Sequence, residues 1–184
     1  MSQANRRRFI QAAAAAATGP FILPSRVWSA DVSPNAKVRM GFIGMGKQNR
    51  YLLESFLQRK QVRVVAVCDV DSRNLDKMKA ARPNVRLYQD WRELLAKEAD
   101  NIDSVNVSTP DHMHGIIGIE ALKLGKHMYG QKPLAQNLWE CRQLMLKARE
   151  KNVMTQMGIQ ISSEFTERYA VEMIRTGAIG KVKE

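Results

Sequence analysis

Residues 37–49 read KVRMGFIGMGKQN, an apolar run that passes directly into two glycines separated by a single residue. The run at 37–43 is rich in β-forming side chains and predicts a buried strand. Apolar residues return at helical spacing in 50–58, which predicts a helix after the glycines. The stretch therefore predicts a strand, a tight glycine turn and a helix, in that order.

The two glycines match the first two positions of the Gly-x-Gly-x-x-Gly pattern of dinucleotide-binding turns. Gly44 permits the tight turn, and Gly46 lets the backbone approach a pyrophosphate at the helix N-terminus, with Met45 between them as a further contact. Asn49 stands at the third position, where a glycine would let the helix pack closely on the strand. We expect its side chain to point outward or to push the helix away. A plain turn is the alternative for the two glycines.

A second apolar run, 62–69, ends in Asp69. A carboxylate at this strand end can accept hydrogen bonds from the adenosine ribose hydroxyls and repel a 2′-phosphate. The alternative is that Asp69 only caps the following helix. The expected cofactor is NAD, with NADP left open.

Strands and helices alternate along the chain from residue 37 onward. Six strand-like runs interleaved with helical patterns predict an α/β fold, a Rossmann-type doubly wound parallel sheet in three αβα layers with strand order 3-2-1-4-5-6. Ser72, Asp90 and the pair Asn137 and Glu140 are expected to cap helices. The predicted strands are 37–43, 62–69, 85–89, 102–108, 126–130 and 153–161, and the predicted helices are 50–58, 73–81, 91–99, 114–124, 138–151 and 164–176.

Residues 108–115, STPDHMHG, follow the predicted fourth strand. Ligands of doubly wound sheets lie off the carboxyl ends of the strands, so these side chains belong to the candidate site. Ser108 and Thr109 offer oxygens, and Pro110 fits the first helical turn. His114 is equally compatible with a contact to the cofactor ribose or substrate and with a capping or surface residue.

The sequence QKPLA, residues 131–135, follows the fifth strand. Pro133 disfavours helical geometry at Lys132, so we expect this lysine to extend from the sheet edge toward the crevice. An ammonium beside a nicotinamide can hold a substrate hydroxyl and lower its pKa. On spacing alone, a solvent-facing lysine in a turn is the stronger alternative.

The composition favours a globular domain that binds a small molecule. The 184 residues carry a formal net charge of +11, but the basic residues are scattered and alternate with acids along helices. We therefore expect solvated helix faces and no nucleic-acid surface. Cys68, Cys141 and three histidines show no metal-ligand spacing, so no metal site is expected.

The first 30 residues differ from the rest of the chain. Arg6, Arg7 and Phe9 resemble a twin-arginine export signal, and a dozen apolar residues and small residues at a cleavage position follow. The apolar run is too short for a stable membrane span, which needs about 20 residues. We therefore expect an exported, periplasmic protein, with a signal at 1–30 and a linker at 31–36.

Residues 37–184 resemble the N-terminal half of the glucose-fructose oxidoreductase, inositol dehydrogenase and rhizopine-catabolism family (Gfo/Idh/MocA). The matching stretches are GFIGMG, AVCDVD, STPDHMHG, QKPLA and IRTGAIGKVKE. The resemblance implies hydride transfer between NAD or NADP and a sugar, polyol or related compound. It also implies an NAD(P)-binding domain at 37–161, followed at 162–184 by the start of a substrate domain, and is compatible with a homo-oligomer.

The resemblance assigns roles to particular residues. It makes Lys132 the catalytic residue of this half, and Gln131 stands where the family has a glutamate in its Glu-Lys-Pro pattern. It implies that the cofactor is contacted at the crevice positions already singled out, namely Gly44, Gly46, Asp69, Thr109, Pro110 and His114, with Met45, Ser108, Gln131 and Lys132 as further candidates.

Three departures from the family pattern leave more than one function open. Asn49 and Gln131 replace the usual residues, and the chain ends at Glu184, where the substrate domain should begin. We expect either the cofactor half of an exported NAD(P)-dependent oxidoreductase or a non-catalytic dinucleotide-binding remnant of such an enzyme. A structural partner that docks on a full-length relative is a third alternative.

Overall fold

A computed structural model of the chain describes residues 36–180, in which strands and helices alternate. The predicted signal at 1–30 and nearly all of the predicted linker lie outside these residues. The strands are β1 (Val38–Ile43), β2 (Val62–Cys68), β3 (Arg86–Tyr88), β4 (Ser104–Val107), β5 (His127–Gln131) and β6 (Thr155–Gly158). The helices are α1 (Lys47–Leu57), α2 (Ser72–Ala81), α3 (Trp91–Glu98), α4 (Asp111–Lys123), α5 (Leu138–Lys151) and α6 (Phe165–Arg175).

The six strands form one parallel sheet in the order β3-β2-β1-β4-β5-β6. This confirms the predicted doubly wound arrangement. After β3 the chain crosses back to the middle of the sheet and adds β4 on the other side of β1. The order in which strands are added therefore reverses between β1 and β4. In such sheets the ligand crevice lies at the carboxyl ends of the strands beside this switch point.

Two apolar clusters form the core, and near the carboxyl ends of β1 and β2 neighbouring residues alternate between them, as strand pleating requires. Val65 and Ala66 fall in the same cluster, at a register irregularity between the two strands. One cluster holds Leu94, Ile117 and Leu144, which come from α3, α4 and α5. The other holds Leu53 and Leu75, from α1 and α2. Helices therefore cover both faces of the sheet, which confirms the three αβα layers.

The helix caps match the sequence predictions in part. Asp71 caps α2 by accepting a hydrogen bond from the Arg73 amide at 2.9 Å, so the prediction of Ser72 was wrong by one residue. Asp90 caps α3 as predicted. Asn137 accepts from the Glu140 amide at 2.9 Å.

The return bond of the predicted capping box differs from the expected one. The Glu140 carboxylate accepts from the Gln136 amide at 2.9 Å, one residue before the cap. Pro110 is the N-cap residue of α4 and lies just before the first helical turn in which it was predicted. Both differences arise from backbone conformation at the cap, which sequence spacing fixes only to within a residue or so.

The last part of the described chain is exposed. A short 3₁₀ turn, Ile161–Ser163, leads into α6, and no residue from 161 to 180 is buried. Large apolar side chains, including Phe165 at 77% exposure, project from this helix. None of the helices within residues 36–180 combines the length and the apolar character needed to cross a membrane.

Candidate functional site

The turn between β1 and α1 requires its first glycine. Gly44 has a φ of +86°, and a Cβ there would lie 2.5 Å from the Ser108 carbonyl oxygen. The Gly44 amide donates to the Cys68 carbonyl at 2.8 Å, which ties the turn to the end of β2. A Cβ on Gly46, by contrast, would meet nothing within 4 Å. Gly44 serves the fold, and Gly46 leaves open space in front of the helix N-terminus.

Asn49 closes this turn from inside. The side chain is fully buried, and its Nδ2 donates to the Gly44 carbonyl and lies 3.7 Å from the Met45 sulfur. The expectation that Asn49 points outward or displaces the helix was therefore wrong. The amide reaches back across the turn and supplies a hydrogen bond that a glycine could not.

Asp69 joins the glycine turn to the start of α2. Its Oδ2 accepts from the Met45 amide at 2.6 Å and from the Asn74 side chain at 3.3 Å, and its Oδ1 accepts from the Asp71 amide at 2.8 Å. The alternative that Asp69 caps the helix does not hold, because Asp71 is the cap. Asp69 is half-buried and also lines the crevice, so a ribose contact stays a prediction.

A crevice of about 760 Å³ opens at the carboxyl ends of β1, β2 and β4. Two residues that the sequence did not single out border it, Trp91 and Arg92, with the Arg92 guanidinium 4.4 Å from the centre of the Trp91 ring. In the sequence, only their position directly after the predicted helix cap Asp90 could have indicated that they border the crevice. The predicted site residues that line the crevice are Gly44, Gly46, Asp69, Ser108, Thr109 and Pro110.

A smaller cavity of about 200 Å³ adjoins the crevice, since both are lined by Gln48, Ser108 and Thr109. It contains Gln131 and Lys132 at the end of β5. Two predicted sites, the glycine turn and the QKPLA turn, therefore meet along one continuous surface. Asp111, His114 and Gln160 complete the lining of this smaller cavity.

Two buried polar atoms in this cavity have no hydrogen-bond partner among residues 36–180. They are the Thr109 hydroxyl oxygen and Nε2 of Gln131, a residue only 5% exposed. The other end of the Gln131 amide accepts from Gln160 at 3.4 Å. An unpaired buried donor is costly, so a ligand that accepts a hydrogen bond here would stabilise the site.

Lys132 is exposed and lines the smaller cavity, with Asp111 as the only carboxylate in the lining. This position fits both the predicted extension toward the crevice and the alternative of a solvent-facing lysine in a turn, so its catalytic role stays a prediction. Lys132 takes part in no ion pair within the described part of the chain. The ammonium is therefore free to contact a ligand.

His114 is a bridge between two loops. It is 1% exposed, and its ring nitrogens each lie 2.7 Å from a backbone carbonyl, one on Thr109 and the other on Pro133. The imidazole thus connects the loop after β4 to the loop that carries Lys132. A direct contact of His114 with the cofactor or substrate stays a prediction.

Cys68 lines the crevice but is a poor nucleophile. Burial, reinforced by the nearby negative charge of Asp69, raises the pKa of the Cys68 thiol to about 12. At neutral pH the thiol is therefore protonated, and thiolate chemistry does not occur there. Within residues 36–180 there is also no group of three side chains able to hold a metal ion.

These features fit a dinucleotide. The open space at Gly46 faces the N-terminus of α1, where backbone amides favour a phosphate. The crevice and the adjoining smaller cavity together lead from Asp69 to Lys132 through Ser108 and Thr109. The unpaired donors lie at the far end, where the reactive part of a dinucleotide belongs.

Comparison with known proteins agrees with this geometry. The family model described as "Oxidoreductase family, NAD-binding Rossmann fold" (GFO_IDH_MocA) matches residues 38–159. The chain is 32% identical over 156 residues to an α-N-acetylgalactosaminidase of Shewanella oneidensis, and the match covers 79% of this chain and 33% of that protein. It is 29% identical over 210 residues to a glycosyl hydrolase family 109 protein of Shewanella baltica, covering 99% and 45%.

A solved structure shares the fold. Scyllo-inositol dehydrogenase from Lactobacillus casei, solved with bound NAD(H) and scyllo-inositol, superposes with a TM-score of 0.70 at 20% identity, over 79% of this chain and 43% of that chain. The chain thus spans less than half the length of the proteins it matches. Because the family model covers most of the described residues, the chain belongs to the oxidoreductase family with an NAD-binding Rossmann fold, GFO_IDH_MocA.

Proposed function

We propose that this chain is the nucleotide-binding half of an oxidoreductase that transfers hydride between NAD(P) and a hydroxyl group of a sugar, polyol or related compound. The observation that carries the proposal is the continuous surface from the glycine turn to the unpaired Lys132. When bound, the nicotinamide supplies the hydride acceptor or donor.

In this proposal Lys132 handles the proton. When a carbonyl is reduced, its ammonium would donate the proton to the carbonyl oxygen; when a hydroxyl is oxidised, the neutral amine would accept the hydroxyl proton. The buried donors of Gln131 and Thr109 hold acceptor groups next to it and fix their orientation. Neutral Gln131 places no carboxylate beside the ammonium, which leaves the positive charge of Lys132 uncompensated on that side.

The proposal extends to a preference for NAD over NADP. The Asp69 carboxylate lines the crevice, and a 2′-phosphate on a ribose bound there would meet its negative charge. Arg73, the nearest cation on α2, is paired with Asp71 at 2.8 Å. Asp69→Ala should narrow the ratio of NADH to NADPH affinity, and an unchanged ratio would show that Asp69 does not discriminate between them.

Fluorescence titration of the 184-residue chain with NADH tests cofactor binding. We expect a saturable signal with a dissociation constant in the micromolar to millimolar range. If the signal does not saturate at millimolar NADH, the chain is not a dinucleotide-binding domain on its own.

A turnover measurement tests whether the chain is catalytic by itself. The chain is mixed with NAD and scyllo-inositol, and NADH formation is followed by absorbance. Turnover that Lys132→Met lowers by about 10²-fold or more supports the oxidoreductase, with Lys151→Met as a control on an exposed lysine of α5. NADH binding without turnover is expected both of a nucleotide-binding half tested alone and of a non-catalytic remnant, and it rules out only a chain that is catalytic by itself.

A glycosidase is the second candidate, because the curated relatives are named as glycosyl hydrolases. A minority of glycosidases depend on NAD, so this activity is compatible with the same nucleotide-binding fold. Release of p-nitrophenol from p-nitrophenyl N-acetyl-α-galactosaminide, dependent on added NAD, would favour it. Polyol oxidation without such release would favour the oxidoreductase.

We also propose that residues 1–30 direct export through the twin-arginine pathway. The support is the sequence alone, with Arg6 and Arg7 ahead of an apolar run. Replacing both arginines with lysine should leave the protein in the cytoplasm of an expressing bacterium, as measured by fractionation. Equal periplasmic amounts of both versions would rule out this route.

A further inference from the structure

A second large cavity, of about 620 Å³, opens where the strands of the sheet begin, at the opposite edge from the crevice. It lies between the start of β2, the end of α2 and the turn 83–85 that leads into β3. It shares no lining residue with the crevice or with the smaller cavity that adjoins it. We call it the basal groove, and nothing in the proposed oxidoreductase chemistry uses it.

The groove runs along an open strand edge. The strand β1 pairs with β2 from Val62 onward, but the three residues of β3 pair only with residues 66–68 of β2. Val62 to Val65 therefore lie beyond the reach of β3, and all four line the groove. The Val62 amide is already used, since it donates to the Arg59 carbonyl at 3.1 Å. The edge offers its remaining backbone N–H and C=O groups to an added strand, here over about 13 Å.

Basic residues that are far apart in the sequence also lie together around the groove. Five basic side chains line it, and no acidic residue does. Two of the five are neutralised, Arg39 by Asp103 at 2.7 Å and Arg86 by Glu98. The three others form no ion pair or side-chain hydrogen bond within residues 36–180; they are Lys37, Arg63 and Arg82.

Helix electrostatics accounts for only one of these three cations. Arg82 directly follows α2, whose carbonyl end attracts positive charge. Arg63 lies on β2, and Lys37 precedes β1, so neither stands at a helix terminus. A net charge of three beside an open strand edge therefore calls for a ligand.

We propose that the basal groove binds an extended acidic peptide of a partner protein, which adds as a strand along Val62 to Val65. The open edge would pair with the peptide backbone, and Lys37, Arg63 and Arg82 with its carboxylates. A nucleic acid fits less well, since single strands are held on stacked aromatic rings and no aromatic side chain lines this groove.

Fluorescence anisotropy tests the proposal with the 184-residue chain and a labelled peptide of alternating glutamate and valine. We expect saturable binding that weakens as salt is added. Arg63→Glu and Arg82→Glu should each weaken it by about tenfold or more. The matched control is Arg142→Glu on α5, an exposed arginine outside the groove, which should change binding by less than about twofold. Circular dichroism checks that each variant is folded.

A second peptide distinguishes strand addition from charge attraction. Methylation of alternate peptide amides keeps the charges but removes the donors that pair with β2, and should weaken binding by about tenfold. Equal binding of the methylated peptide would overturn strand addition. If Arg63→Glu and Arg82→Glu bind the peptide as tightly as the unmodified chain does, the peptide does not bind in the basal groove.

Two further outcomes would also overturn the proposal. If single-stranded DNA displaces the peptide at lower concentration than unlabelled peptide does, the occupant is a nucleic acid. If light scattering shows a dimer of the unmodified chain that Arg63→Glu dissociates, the occupant is a second copy. Saturating NADH should leave peptide binding unchanged, because the two sites share no residue.

Discussion

The two loops that meet in the crevice differ in how their polar groups are used. Around the β1–α1 turn, the side-chain donor and acceptor that hold the backbone are paired within the protein: Asn49 Nδ2 donates to the Gly44 carbonyl, and Asp69 accepts from the Met45 amide. The buried Asn49 Oδ1, an acceptor, has no partner within residues 36–180. In the loops after β4 and β5 it is donors that remain unpaired, on Thr109 and Gln131. The glycine turn therefore keeps its side-chain donor engaged, whereas the loops after β4 and β5 leave donors for a ligand.

This difference follows from what each loop has to present. In the proposed function the glycine turn offers backbone amides to a phosphate, and its side chains serve to hold the backbone in place. The loops after β4 and β5 offer side chains, which must stay unsatisfied until a ligand arrives. We therefore expect substitutions in the first loop to lower stability and those in the second mainly to lower affinity.

The largest effect is expected at Gly44. Gly44→Ala forces a side chain into positive φ and places its Cβ 2.5 Å from the Ser108 carbonyl oxygen. We expect the free energy of unfolding to fall by about 3 kcal/mol or more, measured by urea denaturation. A loss below about 1 kcal/mol would mean that the loops can move apart, and that the turn is not a rigid frame.

Gly46→Ala is the matched substitution in the same turn. Its Cβ would meet no protein atom within 4 Å, so the loss of stability should stay within about 1 kcal/mol, the usual effect at an N-cap. NADH affinity should fall because the methyl group occupies the space in front of the helix N-terminus. Unchanged affinity in the NADH titration would show that the pyrophosphate does not approach this residue.

Asn49 should have the next largest effect. Asn49→Ala leaves the buried Gly44 carbonyl without its side-chain donor and opens a small cavity, so stability should fall by about 1–3 kcal/mol in the same denaturation experiment. The control is Gln48→Ala, an exposed neighbour, which should change it by less than about 0.5 kcal/mol. If both variants unfold like the wild type, Asn49 does not hold the turn.

The fold was largely predictable because its signals are local. Apolar runs ending in Asp69 and in the glycine turn, with helical patterns between them, are sufficient for a doubly wound sheet and its strand order. The boundaries were wrong by one to three residues: the cap of α2 is Asp71 and not Ser72, and α1 and α4 each begin three residues before their predicted starts. Sequence spacing does not determine the backbone angles at which an element begins or ends.

The site was predictable by position but not by contact. Sequence placed Thr109, Lys132 and His114 at strand ends, and the structure brings them together around one cavity. The sequence did not indicate that Asn49 turns inward or that His114 joins two loops. In each case the side chain contacts backbone carbonyls: Asn49 that of Gly44, and His114 those of Thr109 and Pro133. Backbone partners leave no pattern of residue types to read.

Ser108 and Thr109 allow the comparison to be tested between adjacent hydroxyl groups. The Ser108 hydroxyl donates to the Asn106 side chain at 2.7 Å, so Ser108→Ala removes a made hydrogen bond. We expect stability to fall by about 1 kcal/mol in urea denaturation. An unchanged midpoint would show that this bond contributes nothing.

Thr109→Val is expected to have the smallest effect on stability and a clear effect on binding. The Thr109 hydroxyl is buried with no partner in the described part of the chain, and valine has nearly the same shape. The free energy of unfolding should therefore change by less than about 0.5 kcal/mol, or rise slightly, because an unsatisfied group is removed. NADH affinity should fall by about fivefold, the equivalent of one hydrogen bond. If stability falls as far as in Ser108→Ala while affinity is kept, the hydroxyl has a partner within the protein, and the second loop is no more open than the first.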